Sequence, residues 1–223
     1  MRSSVIIVDD FYPNPDAIRE RALRSEYADI ASTRYPGYQT RLNIQSDALK
    51  RTFEALIRAR VQVDRSRFTW GGFRFITGDS GRRTVVHSDV NIDWAAMVYL
   101  TPDADMSAGT GFFRHRETGL DQPPTDRQAR ALGFADAHEF QQQVVARDDR
   151  DLSKWELTTT IAPVYNRLIL FRGCEFYHAP LAGLGEGPAS SRLTHSFFFN
   201  EIPLSGRAVH AVADERALSS NDR

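Results

Sequence analysis

His87 and Asp89 stand two residues apart in TVVHSDVN (84–91), inside an otherwise apolar run. Alternate side chains of an extended strand share a face, so the imidazole and the carboxylate would point one way and Ser88 the other. A second imidazole, His178 in FYHAP, follows the apolar run NRLILFRG, where a strand end could carry it opposite the first pair. Two imidazoles and a carboxylate on one side of an ion leave positions open on the other. That donor set suits non-haem iron(II), and with zinc it would suit hydrolysis.

Fourteen residues beyond His178 (192 − 178), SSRLTHSFFFN sets Arg192, Thr194, Ser196 and Phe198 on one strand face and Leu193, His195, Phe197 and Phe199 on the other. A guanidinium on a strand suited to burial needs an anion to offset its desolvation. The anion is either a side-chain carboxylate or a carboxylate-bearing ligand gripped by both guanidinium nitrogens; an edge strand would instead leave Arg192 in water. His195 should point away from any ion held by the first three residues. His115 and Glu117 in FFRHRETGL form a competing pair of the same kind. They lie where a strand gives way to a turn, and rigid elements favour His87 and Asp89. Arg114 and His115 then become candidates for substrate contact, as does Trp155. Cys174 lies four residues before His178 but has no second cysteine to make a zinc site. His138 and His210 are expected at the surface. Neither a glycine-rich phosphate loop nor a G-x-S-x-G nucleophile is present.

The elements that must position these residues follow from periodicity. SVIIVDDFYPNPDAIRERALRSEY predicts a short strand, a turn and a helix begun by Asn14 or Asp16. Leu49, Phe53, Leu56, Ile57 and Val61 recur at helical spacing behind a Ser46 cap. From about residue 68 the chain changes to short aromatic and β-branched runs: RFTWGGFRFI, RTVVHSDV, DWAAMVYLTP, GTGFFRH, YNRLILFRG and SSRLTHSFFFNEI. Between the strands, TDRQARALGFADAHEFQQQVVARDDRDLSKW predicts a helical excursion. The expectation is a mainly β, α+β chain of one domain over 1–223. N-terminal helices fall at about 14–62, and an inserted lid-like segment runs over about 119–163. With 223 residues, 41% hydrophobic, one core can be buried. A net charge of −1 gives no bulk reason to bind nucleic acid or an anionic membrane. The lone cysteine and the short VIIV segment lead us to expect a cytoplasmic protein.

The order H-S-D, YHAP and RLT resembles the iron(II)- and 2-oxoglutarate-dependent dioxygenases, especially their prolyl-4-hydroxylase-like branch, and VIIVDDFYPNPD resembles that branch's entry into its domain. The likeness spans most of the chain. It implies a double-stranded β-helix, or jelly roll, with His87, Asp89 and His178 holding Fe(II). Arg192 would grip the distal carboxylate of 2-oxoglutarate with help from Thr194, and Tyr99 would touch the same carboxylate. It also implies hydroxylation of an unactivated C–H bond, with O2 as second cosubstrate and succinate and CO2 as products. Because related halogenases lack the carboxylate ligand, Asp89 argues for hydroxylation or desaturation. We expect a small-molecule substrate, an amino acid or a derivative of one. A zinc-dependent hydrolase, a metal-free jelly-roll binding module and an oxygenase independent of 2-oxoglutarate are the alternatives.

Overall fold

Arg192–Ile202 forms an eleven-residue strand, largely buried on both faces, and the remaining elements are layered about it. The computed structural model describes residues 4–30, 36–41, 46–81 and 84–202. In chain order they form β1 (Val5–Val8), α1 (Pro15–Leu23), β2 (Tyr27–Asp29), β3 (Tyr38–Thr40), α2 (Asp47–Ile57), β4 (Arg60–Gln62), β5 (Trp70–Ile76) and α3 (Gly78–Gly81). There follow β6 (Trp94–Tyr99), β7 (Thr110–His115), α4 (Asp126–Ala131), α5 (Ala137–Phe140), α6 (Ala146–Asp148), β8 (Trp155–Ile161), β9 (Leu168–Phe171), β10 (Tyr177–Pro180) and β11 (Arg192–Ile202). A large antiparallel sheet runs β1-β9-β6-β11-β5-β3-β2, with β4 on the far end of β11, and a small one runs β10-β7-β8. Two antiparallel sheets with flanking helices make the expected jelly roll.

Alternation along the strands sorts the core into layers. Leu193, Phe197 and Phe199 of β11 and Trp94, Ala96 and Val98 of β6 turn to the outer face, where Ala22 of α1 and Phe53 and Ile57 of α2 cover them. Both helices begin on the expected caps: Asn14 accepts from the Ala17 amide and Ser46 from the Leu49 amide. In β5, Gly71 has φ of 75° and is skipped where Trp70 and Gly72 pair with Phe197 and Ser196. This bulge carries Trp70 to the same core as Phe73, and a left-handed backbone there requires glycine. Ala95, Tyr99, Phe112, Ile161, Ile169 and Phe171 fill the space between the sheets.

Three expectations need correction. The H-S-D segment is not a regular strand: only His87 pairs, in a single bridge with His178. Its neighbours are tied elsewhere, the Val86 amide to the Asp149 carbonyl and the Asp89 amide to the Gly173 carbonyl. Val61 is not helical; α2 stops at Ile57 with Arg58 left-handed at φ of 55°, and Val61 pairs with Glu201 from β4. The excursion is helical as expected, but its Phe140, Val144 and Val145 pack with Phe113, Trp155, Tyr177 and Ala179 on the back of the small sheet. It is a buttress there, and the last part of the 119–163 segment, WELTTTI, is not helix but β8.

Candidate metal centre

His87, Asp89 and His178 each bring a ligand atom within 4.8 Å of the other two. Nε2 of His87 is 3.8 Å from one Asp89 oxygen, and Nε2 of His178 is 3.9 Å from the other. The far nitrogens fix the chemistry. Nδ1 of His87 donates to the Val85 carbonyl at 2.9 Å, and Nδ1 of His178 to the Phe176 carbonyl at 3.0 Å. A carbonyl can only accept, so both rings carry their proton on Nδ1 and turn an Nε2 lone pair inward. Burial pushes both imidazoles down to about 4, helped at His87 by the charge of His178 and opposed there by Asp89. Both are therefore neutral at neutral pH, the form in which an imidazole can hold a metal.

The carboxylate is equally poised. Asp89 is 8% exposed, and its Oδ2 is buried without a hydrogen-bond donor. Burial raises its proton affinity, because an unpaired buried anion is costly. A cation among three inward lone pairs would remove that cost, so the residues fit a divalent metal. Close approach is secured by Gly173, where a Cβ would stand 1.9 Å from Asp89 Oδ2.

The same cleft continues to Arg192 and Thr194, past Thr110, Met97 and Ile76. Arg192 is 4% exposed. Its Nε donates to the Ala108 carbonyl at 2.8 Å and its Nη2 to Thr110 Oγ1 at 3.1 Å, while Nη1 has no partner among the described residues. No described carboxylate lies within ion-pair distance of this guanidinium, so its charge is offered to the cleft. Thr194 donates to the Arg74 carbonyl at 3.3 Å and lines the cleft beside it. Tyr99 stands next to Arg192, its ring 5.1 Å from the guanidinium carbon and its hydroxyl 2.8 Å from Thr110 Oγ1. Its ring belongs to the core between the sheets and does not line the cleft.

The structure does not bring the remaining candidates to the cleft. Arg114 is half exposed and faces Glu156 at 3.7 Å. His115 is fully buried on the back of the small sheet, its Nε2 3.0 Å from Asp148 and its Nδ1 3.0 Å from Thr118 Oγ1. Trp155 packs on His115 at 4.8 Å and donates to the Asp148 carbonyl. Alternation along β7 explains the difference: Thr110 and Phe112 face inward, whereas Phe113 and His115 face the helical buttress. His115, Glu117 and Asp148 do cluster within 4.8 Å. Both carboxylates, however, are already held by Arg147, at 2.6 and 2.7 Å. His195 faces the helix side, its Nδ1 2.7 Å from the Tyr12 hydroxyl. His210 lies outside the described residues.

Among the residues that went unnoticed in the sequence are Arg74 and Thr110, which line the cleft, and Gly173, which lies behind Asp89. Arg74 had a signal, since an arginine alternating with Phe73 and Phe75 must face the opposite way from those core rings. Gly173 had none, because nothing local reveals that Asp89 approaches it.

The family model described as "Family of unknown function (DUF6445)" matches residues 1–199. No curated protein matches the chain. Among solved structures, HygX from Streptomyces hygroscopicus with nickel and 2-oxoglutarate bound is 13% identical at a TM-score of 0.51, over 90% of this chain and 84% of that one. The same protein with nickel, 2-oxoglutarate and hygromycin B is also 13% identical, at 0.52, over 90% and 84%. An oxidoreductase of the 2OG-Fe(II) oxygenase family from Burkholderia pseudomallei is 12% identical at 0.51, over 90% and 85%. At such identities the likeness is one of fold. Matched over residues 1–199, the chain belongs to the DUF6445 family, and it is folded as the 2-oxoglutarate- and iron(II)-dependent oxygenases are.

Proposed function

We propose that the protein is an iron(II)- and 2-oxoglutarate-dependent oxygenase that hydroxylates an unactivated C–H bond of a small molecule. The observation that carries this reading is a single cleft with a three-ligand cluster at one end and, further in, a buried guanidinium with no described carboxylate partner. Nickel and 2-oxoglutarate bound in HygX, a protein of the same fold, support it. A zinc hydrolase would use the same three ligands but gives Arg192 no role. A metal-free binding module gives none to the unpartnered Asp89 Oδ2.

His87, Asp89 and His178 would hold the iron, and Arg192, steadied by Ala108 and Thr110, would bind the distal carboxylate of 2-oxoglutarate with Thr194 alongside. When bound, the iron supplies the capacity to activate O2: one oxygen atom enters the C–H bond and the other the new carboxylate of succinate, with loss of CO2. The protein's part is positioning and the exclusion of water. The carbonyls of Val85 and Phe176 hold the imidazole tautomers, and Ile76, Val85 and Phe198 wall the cleft with apolar surface. Asp89 fills a position that a halide would otherwise need, which favours hydroxylation or desaturation over halogenation. No helix among the described residues is long and apolar enough to cross a membrane. A cytoplasmic setting and a small-molecule partner belong to the proposal.

Anaerobic addition of Fe(II) and 2-oxoglutarate should produce a weak visible charge-transfer band, and air with substrate should then release succinate. No band at saturating 2-oxoglutarate would defeat the reading. Hydrolysis supported by zinc in its place would favour the hydrolase.

A further inference from the structure

A second groove adjoins the cleft, sharing Arg74, Asp89 and Phe198 with it. Its cavity is about 170 Å³ and open to solvent along one side, room for part of a small molecule with the rest lying along the surface. Ile30, Phe68, Val90, Ile92 and Phe198 give it apolar walls. Val90 is 66% exposed there, an apolar side chain left with surface to cover.

Among the described residues, the charges that line this groove have one sign apart from Asp89. Arg67 and Arg74 are its cations, and Asp89, already assigned to the metal, is its carboxylate. Arg67 lies over the Phe68 ring, its guanidinium carbon 5.3 Å from the centroid. Asp64 feels the charge of Arg67 but forms no ion pair with it at salt-bridge distance; that carboxylate is bonded instead to the amide and hydroxyl of Ser66. A guanidinium spread on an aromatic face keeps its edge donors available to a carboxylate.

We infer that this groove binds the substrate, and that the substrate is an apolar organic acid whose carboxylate meets Arg67 while its hydrocarbon body runs along Phe68, Val90 and Ile92 toward Asp89. The inference rests on the oxygenase reading only in placing the oxidised carbon beside Asp89. Binding itself depends on groove residues that are present without metal. At the Arg67 end an ammonium group would meet a like charge where a carboxylate meets an opposite one, so this end of the groove favours acids over amines.

The test uses a matched series on the full chain: N-acetyl-phenylalanine, its neutral carboxamide, and phenylalaninamide as the cation. Binding is measured by calorimetry, once in chelator and once with nickel and 2-oxoglutarate. The acid should bind at least tenfold more tightly than the carboxamide in both conditions, and the amine least. Arg67→Gln should bring the acid down to the carboxamide's affinity and leave the carboxamide, metal and 2-oxoglutarate unaffected, whereas Arg67→Lys should restore part of the preference. Equal binding of acid and carboxamide, a preference for the amine, absence of binding by the whole series, or an acid affinity indifferent to Arg67→Gln would each overturn the inference. If nickel and 2-oxoglutarate bind while the acid preference is absent, the groove assignment alone fails. If the acid preference stands but 2-oxoglutarate does not bind, the oxygenase reading fails and the groove remains.

Discussion

At the scale of single residues, the centre depends as much on what is missing as on what is present. Gly173 leaves room for Asp89 Oδ2, and a methyl group there would sit 1.9 Å from that oxygen. Gly173→Ala should therefore swing the carboxylate out of line while the Asp89 amide keeps its bond to the residue-173 carbonyl. We expect nickel affinity to fall roughly 10- to 100-fold, the scale on which displaced supporting groups weaken metal sites. Nickel titration of a variant with unchanged circular dichroism would check this; unaltered affinity would mean that Asp89 does not ligate. Arg192 allows a sharper comparison. Lysine keeps the charge but cannot reach the Ala108 carbonyl and Thr110 at once while offering a further donor to the cleft. Arg192→Lys and Arg192→Gln should thus both weaken 2-oxoglutarate, by about 100-fold for loss of a buried charge-assisted pair. A lysine variant with near-normal 2-oxoglutarate affinity would reduce Arg192 to a point charge.

Elements carry the ligands only as well as their hydrogen bonds allow, and here the sequence was legible in part. The side-chain alternation of β11 was readable because Leu193, Phe197 and Phe199 mark one face, which leaves Arg192 and Thr194 on the other. H-S-D looked like a strand, yet only His87 meets the open edge of β10, because the Val86 and Asp89 amides bond to the Asp149 and Gly173 carbonyls instead. β8 escaped notice because the middle of WELTTTI is exposed and polar, with no buried face to generate a pattern. His115 misled for a related reason: its position on β7 was clear, but not which side the helical buttress would cover. That buttress has its own anchor. Arg147, through paired hydrogen bonds, and His115 hold the Asp148 carboxyl at about 2, against an ordinary value of 3.8. A lowered folded-state pKa contributes stability above pH 4, and that contribution drains away as pH falls from about 4 through 2. The buried carboxylate is worth about 2 kcal/mol by its shift. Asp148→Asn should destabilise by that order in urea melts at pH 7, with the gap to the parent closing below pH 4. A gap independent of pH would assign the loss to packing with Trp155 instead.

For the whole molecule, the cleft matters because it joins two sheets. Arg192 and Thr194 belong to the large sheet and His178 to the small one, while His87 and Asp89 are tied to β10 and to the Gly173 carbonyl. A metal and 2-oxoglutarate bound together would therefore add a link between layers that otherwise meet through the apolar contacts of Tyr99, Phe112, Ile161 and Phe171 and through the hydrogen bonds of Arg192 and Tyr99 to Thr110. Anything that binds only the folded chain stabilises it, by about 2.7 kcal/mol when present at 100 times its Kd. Nickel alone should raise the melting temperature by its own increment, and 2-oxoglutarate should add a second increment only when nickel is present. Coupling of two ligands is reciprocal, so 2-oxoglutarate must tighten nickel by the factor by which nickel tightens 2-oxoglutarate. The variants then separate the two ends of the cleft: His178→Ala should abolish both increments, and Arg192→Gln should keep the nickel increment while losing the second. If 2-oxoglutarate stabilises the metal-free chain as strongly as the nickel form, the two ends are independent anion and cation sites, and the shared cleft has no bearing on chemistry.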